Sequence, residues 1–328
     1  MSRAAATAAS TLEIALPLFR CLQCGASFEF RGSTEHDSHL VCAGCARAVA
    51  VRDGIPRFVD TPTDEIARRT QASFGYEWTH FADWKASGPT NFSDYFKDVD
   101  LRTLRHARVL DAGCGMGRHA RQLAPWCALI VAADFSDAID AAGRNLRELS
   151  NVGCVQADLT ALPLADDAFD FVYSMGVVHH LADTEGAVRA LARKLRPGGR
   201  LRLYLYWKRD GWSGRLLRLV GAVRRVTTRL PFPGLRAFCW VLSVFLSGAV
   251  ILPYRVLSTA GFKAHERWPL FVYTKYPFAI LYNDQFDRFS APLEKRYSEA
   301  EARALLESAG LRDVRTRAMF GWLVDGVR

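Results

Sequence analysis

A glycine-rich turn constrains the fold of this chain more than any other feature of its sequence. The segment Val109-Leu110-Asp111-Ala112-Gly113-Cys114-Gly115-Met116-Gly117 begins as a short apolar strand and ends in three alternating glycines. Because glycine has no β-carbon, such a turn lets the backbone approach a bound ligand closely. The chain after this segment has a helical pattern. The sequence therefore predicts a strand, a ligand-binding turn and a helix.

Glycine turns of this kind also bind dinucleotides, so an NAD-dependent enzyme is an alternative interpretation. The dinucleotide fingerprint requires Gly or Ala at the position where this chain has the bulky, charged Arg118. In addition, Asp111 precedes the first glycine by two positions. A carboxylate there suits a ligand that carries an ammonium group better than one that carries a pyrophosphate. The dinucleotide interpretation is therefore the less favoured one.

Predicted strands and helices alternate after residue 105, which indicates a parallel sheet covered by helices on both faces. The later strands are expected at residues 128–132, 153–156, 169–174 and 200–206. A helix from about 184 to 195 is expected to stop at Pro197-Gly198-Gly199. The pair Ser298 and Glu301 forms a capping-box pattern that predicts a last helix, and the final strands follow it.

These segments together resemble the class I, Rossmann-like methyltransferases that depend on S-adenosylmethionine (SAM), particularly their small-molecule branch. The motifs that carry the resemblance occur in the family's order between about residues 105 and 207. They are the glycine turn, Asp134, Asp158-Leu159, the strand Phe169–Met175, the turn Val178–Leu181 and the turn Leu195–Arg200. The resemblance implies an α/β fold with a mainly parallel seven-stranded sheet, SAM as the cofactor, and methyl transfer as the reaction.

The resemblance also implies which residues hold SAM. The methionine end of the cofactor would lie against the glycine turn, the ribose at the second strand, the adenine after the third, and the sulfonium at the fourth. The corresponding residues are Asp111, Gly113, Gly115 and Gly117; Asp134; Asp158 and Leu159; and Met175. Asp134 stands where Glu is commoner in the family, which shortens the reach of the carboxylate by one methylene.

Two histidines follow the fourth strand, where methyl acceptors bind in the family. His179 and His180 are the catalytic candidates, as a general base or as groups that orient the acceptor. The alternative is that the pair supports the structure of the loop, and His180 is the better match to that role. A similar choice applies to Tyr76, Trp78 and Phe81, which could close over the cofactor or only pack their helix on the sheet.

Four of the eight cysteines form two C-x-x-C pairs near the N-terminus. The spacing of Cys21, Cys24, Cys42 and Cys45 predicts a tetrahedral, four-thiolate zinc site. Because four thiolates leave no open position, the zinc would be structural. Short apolar runs around the pairs predict the strands of a small zinc ribbon. Similar ribbons stand beside some RNA methyltransferases and some small-molecule enzymes, so the ribbon does not select a substrate.

An insertion before the last helix carries most of the net charge. Between Arg200 and Ala260 there are eleven Arg or Lys residues and one acid, Asp210. On a helical wheel, four arginines fall within about 80° of one another, with apolar residues opposite. The arginines are Arg215, Arg218, Arg225 and Arg229, and the apolar residues are Leu216, Leu217, Leu219, Val220, Val223 and Val226.

An uncharged run, Ala237–Leu252, follows and ends before Pro253; it is shorter than the roughly 20 residues that span a bilayer. Residues 212–252 therefore predict peripheral membrane contact or a greasy lid over the acceptor. The alternative is an ordinary helical cap with its apolar faces packed and its arginines solvated. RNA is the less favoured partner, because the segment does not interleave aromatic and polar residues.

The domain organisation expected from these patterns is a flexible lead at 1–18, a zinc ribbon at 19–60, and a linker with a capping helix at 61–104. The SAM-binding core then occupies 105–207, the basic and apolar helical insertion 208–288, and the final helix and strands 289–328. The first residues have no signal-peptide layout, so we expect a cytoplasmic protein, peripheral to a membrane if the insertion meets lipid.

The function expected is methyl transfer from SAM to a small, apolar or lipid-like acceptor through an O-, N- or C-nucleophile. An rRNA or tRNA methyltransferase is one alternative, although Ser174-Met175-Gly176-Val177 lacks the motif of the base-N6 enzymes. A non-catalytic SAM-binding scaffold is the second alternative, and the complete set of acids at the predicted site argues against it. The oligomeric state is left open.

Overall fold

The structure, a computed structural model, describes residues 12–32, 38–59, 64–81, 88–261 and 268–328. The chain divides into two units. Unit 1 comprises Met1–Ala82, Gly88–Trp207 and Leu293–Arg328, and unit 2 comprises Asp83–Ser87 and Lys208–Pro292. The predicted linker residues 60–63 lie outside the described residues.

Eleven strands lie in the described part of unit 1 and form two sheets. The strands are β1 (Phe28–Arg31), β2 (Ser38–Cys42), β3 (Ala48–Arg52), β4 (Ile55–Pro56), β5 (Arg108–Ala112), β6 (Leu129–Asp134), β7 (Val152–Gln156), β8 (Phe169–Met175), β9 (Leu195–Leu205), β10 (Arg312–Ala318) and β11 (Trp322–Val327). The first four form an antiparallel sheet, and the other seven are ordered β10-β11-β9-β8-β5-β6-β7. Strands β5 to β9 are parallel to one another, while β11 runs antiparallel to both of its neighbours, β9 and β10. This confirms the predicted mainly parallel seven-stranded sheet.

Helices connect these strands and make up the described part of unit 2. In unit 1 they are α1 (Glu65–His80), α2 (Gly88–Phe96), α3 (Arg118–Leu123), α4 (Ala138–Leu146) and α5 (Thr184–Lys194). In unit 2 they are α6 (Gly211–Thr227), α7 (Phe232–Leu246), α8 (Leu252–Thr259) and α9 (Phe278–Ser290), and α10 (Glu299–Glu307) returns to unit 1. The predicted capping box of α10 forms, with Ser298 and Glu301 each bonded to the other's backbone N–H.

The large sheet is buried on both faces, as its apolar runs require. Neighbouring residues of one strand enter different cores: Leu110 packs with α5 and α10, whereas Val109 packs with α2, α3 and α4. The strand order reverses at β5, which lies between β6 and β8. In open α/β sheets, ligands bind beyond the carboxyl ends of the strands at such a reversal. The topology therefore puts the candidate site just after β5.

The small sheet covers the β7 edge of the large one. Phe58 N–H donates to the Gln156 carbonyl at 2.9 Å, and the side chain of Arg57 bonds to both Gln156 and Asp140. The predicted flexible lead is wrong for its last part, because Leu12 and Leu18 are buried in the same core cluster as the sheet. Their apolar side chains are removed from water there, which offsets the entropy lost on ordering them. Residues 1–11 lie outside the described residues.

A buried arginine ties β9 to its neighbours in unit 1. Arg202 is 1% exposed, and its guanidinium donates to the carboxylates of Asp98 and Asp325 and to the Tyr95 carbonyl, at 2.7 to 3.0 Å. Burial lowers the pKa of Arg202, but the hydrogen bonds and charge attraction of Asp325 and Asp98 outweigh it. The pKa is therefore raised above its ordinary value. Nothing in the strand pattern of the sequence predicted this network.

Unit 2 contains a longer helical stretch than the sequence predicted. Phe232–Thr259 is helical over 28 residues and is, by length and composition alone, able to cross a membrane. The helix therefore extends beyond the uncharged run Ala237–Leu252 and continues through Pro253. A π-helical turn, Ser247–Ile251, precedes the proline. Such a turn changes the hydrogen-bond spacing and can accommodate a proline ring without ending the helix.

Candidate functional site

The glycine turn lies at the carboxyl end of β5 and is held against β6. The N–H groups of Gly113 and Cys114 donate to the Ala133 carbonyl at 2.8 and 3.0 Å. Gly113, Gly115 and Gly117 have φ values of +81°, +53° and +80°, in the left-handed region that favours glycine. A β-carbon on Gly113 would lie 2.5 Å from a methyl of Val177. The turn is therefore glycine both for its backbone conformation and for lack of space.

Asp111 is buried beneath this turn, at 2% exposure. Burial raises the pKa of its carboxyl to about 7, while the hydroxyl of Tyr173 nearby acts in the opposite direction. Its Oδ2 atom has no hydrogen-bond partner among the described residues. An acceptor that is buried and unsatisfied costs free energy unless a donor arrives. Asp111 is thus suited to a cationic or hydrogen-bonding ligand.

Asp134, at the end of β6, accepts more hydrogen bonds from the protein itself than the resemblance implied. Its Oδ1 accepts from the backbone N–H and the hydroxyl of Ser136 at 2.8 and 2.7 Å, and its Oδ2 accepts from Gly115 N–H at 2.8 Å. Burial raises the pKa of Asp134, and the hydrogen bonds from Ser136 and Gly115 lower it. The backbone N–H of Phe135 lowers the pKa of Asp134 as well, so this carboxylate is held mainly by backbone and hydroxyl donors of its own turn.

The remaining cofactor candidates lie after β7 and at the end of β8. Asp158 accepts from both the N–H and the hydroxyl of Thr160 at 2.8 Å, which fixes the turn. Leu159 is 2% exposed and belongs to the core, and Met175 is 8% exposed. Strands β7 and β8 are separated by β5 and β6 in one parallel sheet, so the carboxyl ends of all four strands lie on the same side of it.

These residues fit the methionine and ribose ends of SAM. The unsatisfied carboxylate oxygen of Asp111 matches an ammonium group, and the three glycines leave the backbone open where β-carbons would stand. SAM lacks a pyrophosphate, and Arg118 occupies the position where a dinucleotide site needs a small residue. The donor and acceptor set is therefore compatible with SAM and incompatible with the dinucleotide fingerprint.

The side chain of His179 lies in the turn after β8 with 0% exposure. Burial lowers its pKa well below the ordinary value, as do the nearby His180 and Arg296. Neither ring nitrogen forms a hydrogen bond of normal geometry with another described residue. Its ring packs against that of Tyr206, with centroids 4.1 Å apart. His179 is therefore a neutral imidazole, able to accept a proton or a hydrogen bond.

His180 is held more firmly. Its Nδ1 lies 2.7 Å from the Leu293 carbonyl, and that contact requires the nitrogen to carry a proton and donate. Its ring meets Phe74 of α1 edge-on, with centroids 5.2 Å apart. These contacts match the loop-supporting role expected for His180. The link to Leu293 could not be read from the sequence, because 113 residues separate the two.

The aromatic residues of α1 differ in where they lie. The indole of Trp78 lies against the glycine turn: a β-carbon on Gly115 would be 3.2 Å from its Nε1, and Arg118 lies 4.9 Å from its ring centroid. Tyr76 instead stacks on His80, with centroids 3.8 Å apart. Phe81 ends the helix. Of the three residues suggested by the sequence, Trp78 is therefore the one placed at the turn.

The four N-terminal cysteines come together, as their spacing predicted. Their sulfur atoms all lie within 4.8 Å of one another, with Cys21–Cys45 at 3.6 Å and Cys24–Cys42 at 3.4 Å. Tetrahedral zinc with Zn–S bonds of about 2.3 Å separates its sulfurs by about 3.8 Å. All eight cysteines are free thiols, and all lie in described parts of the chain. The cluster therefore has the composition and dimensions of a structural zinc site.

Comparison with known proteins identifies the central domain. Residues 110–203 match the family described as "Methyltransferase domain". The chain is 42% identical over 152 residues to demethylmenaquinone methyltransferase of Mycobacterium marinum (strain ATCC BAA-535 / M), covering 46% of this chain and 61% of that protein. It is 41% identical over 99 residues to malonyl-[acyl-carrier protein] O-methyltransferase of Enterobacter lignolyticus (strain SCF1), covering 30% and 39%.

Among solved structures, the chain is similar to human N-acetylserotonin methyltransferase in complex with SAM. The TM-score is 0.48, with 15% identity, and the match covers 81% of this chain and 60% of that one. The chain spans between 39% and 61% of the length of the two curated relatives above. The family match shows that residues 110–203 of this chain form a methyltransferase domain. The two curated proteins above are methyltransferases by their names.

Proposed function

We propose that this protein transfers a methyl group from SAM to a small, apolar or lipid-like acceptor. The observation that carries the proposal is the buried, unsatisfied carboxylate oxygen of Asp111 beneath a turn of three glycines. A protein that bound no ligand at this turn would have no use for that arrangement, because an unsatisfied buried acceptor lowers stability.

Each residue of the site has a distinct task in this proposal. Asp111 accepts from the ammonium of SAM, and the glycine turn lets the backbone lie against the methionine end. Asp134 accepts from a ribose hydroxyl, and its hydrogen bonds from Gly115 and Ser136 fix the position of the carboxylate. Asp158 and Leu159 take the adenine, and Met175 faces the sulfonium.

SAM supplies an electrophilic methyl group, so the protein's own contribution is to hold the acceptor in line and to exclude water. Positioning of this kind can lower a barrier by about 7–11 kcal/mol. When the acceptor must lose a proton, His179 is the available base, because burial keeps its imidazole neutral. The low pKa of His179 limits its strength as a base, so it suits an acceptor whose own proton is acidic, such as a phenol.

Two observations support an apolar acceptor. The residues around His179 are aromatic. The ring centroid of Tyr206 lies 4.1 Å from that of His179. Tyr204 packs beside Tyr206, and Phe320 packs beside Tyr204. Several of the similar curated proteins act in quinone metabolism by their names, including the demethylmenaquinone methyltransferases and a ubiquinone biosynthesis O-methyltransferase. A quinol-like acceptor with a hydrocarbon tail is therefore the first class to test.

The test compares two acceptors that differ only in their tails. Purified protein and SAM labelled in the methyl group are given a catechol with a long alkyl chain and the same catechol without it. We expect label to enter the alkylated acceptor with the larger kcat/KM. Transfer to neither acceptor, with transfer to tRNA or rRNA in the parallel assay, would instead establish the RNA alternative.

A binding measurement tests the cofactor site separately. Asp134→Asn keeps the shape of the side chain but removes its charge and one acceptor, so SAM affinity should fall by about 1–3 kcal/mol. Ser136→Ala is the matched control, because it removes a hydrogen bond to Asp134 without changing the carboxylate itself. Calorimetry that finds equal losses for both variants would mean that Asp134 only supports the turn.

A further inference from the structure

The helical stretch of α7 and α8 in unit 2 turns its apolar side outward. Leu235, Cys239 and Ser243 recur every four residues and are buried. The opposite face carries large apolar side chains that are 45% to 64% exposed, at helical spacings of three, four and seven residues. They are Trp240, Val241, Val244, Phe245, Leu252 and Val256. A helix on the surface of a soluble protein shows the reverse pattern.

The buried side of the same helix contains the polar groups. The Ser243 hydroxyl donates to the Cys239 carbonyl at 2.7 Å, and the Cys239 thiol donates to the Gln285 carbonyl of α9 at 3.6 Å. The Arg236 side chain lies 3.4 Å from the Tyr282 hydroxyl. One side of the helix is thus engaged with protein, which leaves a single apolar stripe for another partner. A membrane-spanning helix alone in lipid would need apolar residues all round.

Helix α6 adds a second exposed apolar stripe and the positive charge. Three of the apolar residues that the helical wheel separates from the arginines, Leu216, Leu219 and Val226, are 44% to 63% exposed, and Trp212 is 60% exposed. At 100° per residue these four side chains fall within about 80° of one another, next to the arginine stripe. The arginines, which are also exposed, are Arg215, Arg218, Arg225 and Arg229. Both α6 and α7 pack against α9.

The charge of this segment selects among the partners that an apolar surface could bind. Residues 211–265 contain eight Arg or Lys residues and no Asp or Glu. A second copy of the chain would bring the same arginines together, which is unfavourable. The arginines could contact the phosphates of RNA, but exposed Val and Leu side chains offer no surface on which bases stack. An anionic bilayer accepts apolar side chains, interfacial tryptophans and arginines together.

We propose that α6 and the outward stripe of α7 and α8 form a surface that binds an anionic lipid bilayer. The apolar side chains enter the boundary between headgroups and acyl chains, and the arginines contact the phosphates. The binding is peripheral, since the other side of α7 is engaged with α9. This proposal does not depend on the methyl acceptor, because vesicle binding and methyl transfer are measured independently.

The test is co-sedimentation with vesicles of phosphatidylcholine alone and of phosphatidylcholine mixed with phosphatidylglycerol. Wild-type protein should bind the anionic vesicles, and added salt should weaken the binding. A variant with Gln in place of Arg215, Arg218, Arg225 and Arg229 should bind them at least about 100-fold more weakly. The matched control changes four exposed arginines of unit 1 to Gln, which alters the net charge equally. They are Arg105, Arg147, Arg312 and Arg315.

A second variant tests the apolar stripe while keeping every charge. Val241→Ser with Phe245→Ser should weaken binding to the anionic vesicles about tenfold or more, since two inserted side chains are lost. SAM affinity should be unchanged in all variants, which serves as the control for folding. Wild-type protein that ignores anionic vesicles, binds both vesicle types equally, or binds labelled RNA in their place would overturn the proposal. So would a dimer that the serine variant dissociates.

Discussion

Units 1 and 2 differ in which apolar and polar side chains they bury and which they expose to solvent. In unit 1 the central strands β5, β6 and β8 are buried on both faces, and even a guanidinium, that of Arg202, lies inside with its charge paired. In unit 2 the helix α7 buries Ser243 and exposes Phe245 at 64%. An apolar stripe in a sequence therefore shows that a face exists, but not whether protein, lipid or a ligand covers it.

The difference has a physical origin in how each unit satisfies its backbone. Strands β5 to β9 satisfy their backbone groups by pairing with neighbouring strands, and a parallel sheet of this kind is stable only when both of its faces are covered. Helices satisfy their backbone internally, so a helix can leave an apolar face open without unpaired backbone groups. Unit 2 can thus keep an exposed apolar stripe that unit 1 could not.

The largest expected effect is a loss of stability in the N-terminal sheet of unit 1. A zinc ion would stabilise this small sheet in place of a hydrophobic core. Cys42→Ser removes one of four thiolates, and structural zinc contributes on the order of 10 kcal/mol of binding free energy in small modules. We expect zinc content to fall and hydrogen exchange to rise between residues 19 and 59. The protection of the Phe58 amide should fall in particular, because its N–H donates to the Gln156 carbonyl of β7.

Cys154→Ser is the control for this measurement, since Cys154 lies outside the cluster and its change should leave zinc content unaltered. Elemental analysis that finds no zinc in wild-type protein purified without chelators would contradict the predicted zinc site. In that case the closeness of the four sulfurs would have to be explained by the fold of the ribbon alone.

The second prediction concerns the paired charge inside unit 1. Arg202→Ala leaves the carboxylate of Asp325 without its partner, whereas Asp98 is 41% exposed and keeps its ion pair with Arg317. We therefore expect a cost of about 3 kcal/mol, the lower end of the range for breaking a buried ion pair. Arg200→Ala, two residues earlier on the same strand and exposed, should cost less than about 0.5 kcal/mol. Urea unfolding of both variants checks the contrast, and equal losses would mean that the network contributes nothing particular to unit 1.

The third prediction uses the titration of Asp111. The pKa of its carboxyl is raised to about 7 without ligand, so below pH 7 the group is protonated and must lose its proton to pair with an ammonium. SAM affinity should therefore fall as pH is lowered through 7, by up to about tenfold per pH unit, and level off above it. Calorimetry between pH 5.5 and about 8.5 measures this dependence.

Asp111→Asn should bind SAM weakly and with little dependence on pH. A variant that keeps the full pH dependence would assign it to another group, and Asp134 is the next candidate because burial raises its pKa as well. The wild-type curve and the variant curve together therefore decide which carboxylate meets the ammonium.

The sequence was a good guide where chemistry requires fixed residues at fixed spacing. The glycine turn, the ends of β6 and β8 and the four cysteines were all predicted, because backbone conformation and ligand geometry allow few alternatives there. Contacts between residues far apart in the chain were not predicted. The bonds from His180 to Leu293 and from Arg202 to Asp325 join positions separated by 113 and 123 residues.

Unit 2 was the least predictable part for a different reason. The periodicity of α6 correctly separated arginines from apolar residues, but it could not show that Leu219 and Val226 would lie in solvent. The helical continuation through Pro253 was missed because a π-helical turn leaves no clear sequence signal. Composition gave the charge of the insertion, and only the packing on α9 shows which faces remain open.

The smallest expected effect completes the comparison of the two units. Phe245→Ala on the open stripe of α7 should change the free energy of unfolding by less than about 0.5 kcal/mol, because the ring is 64% exposed. Leu203→Ala in β9, where the side chain is fully buried, should cost about 2–5 kcal/mol although it removes fewer atoms. Urea unfolding without lipid measures both. If Phe245→Ala costs as much as Leu203→Ala, Phe245 is buried in solution and a protein surface covers the stripe. If the costs differ as expected, the stripe stands open in water, and anionic vesicles should protect its backbone amides from hydrogen exchange while leaving those of β9 unchanged.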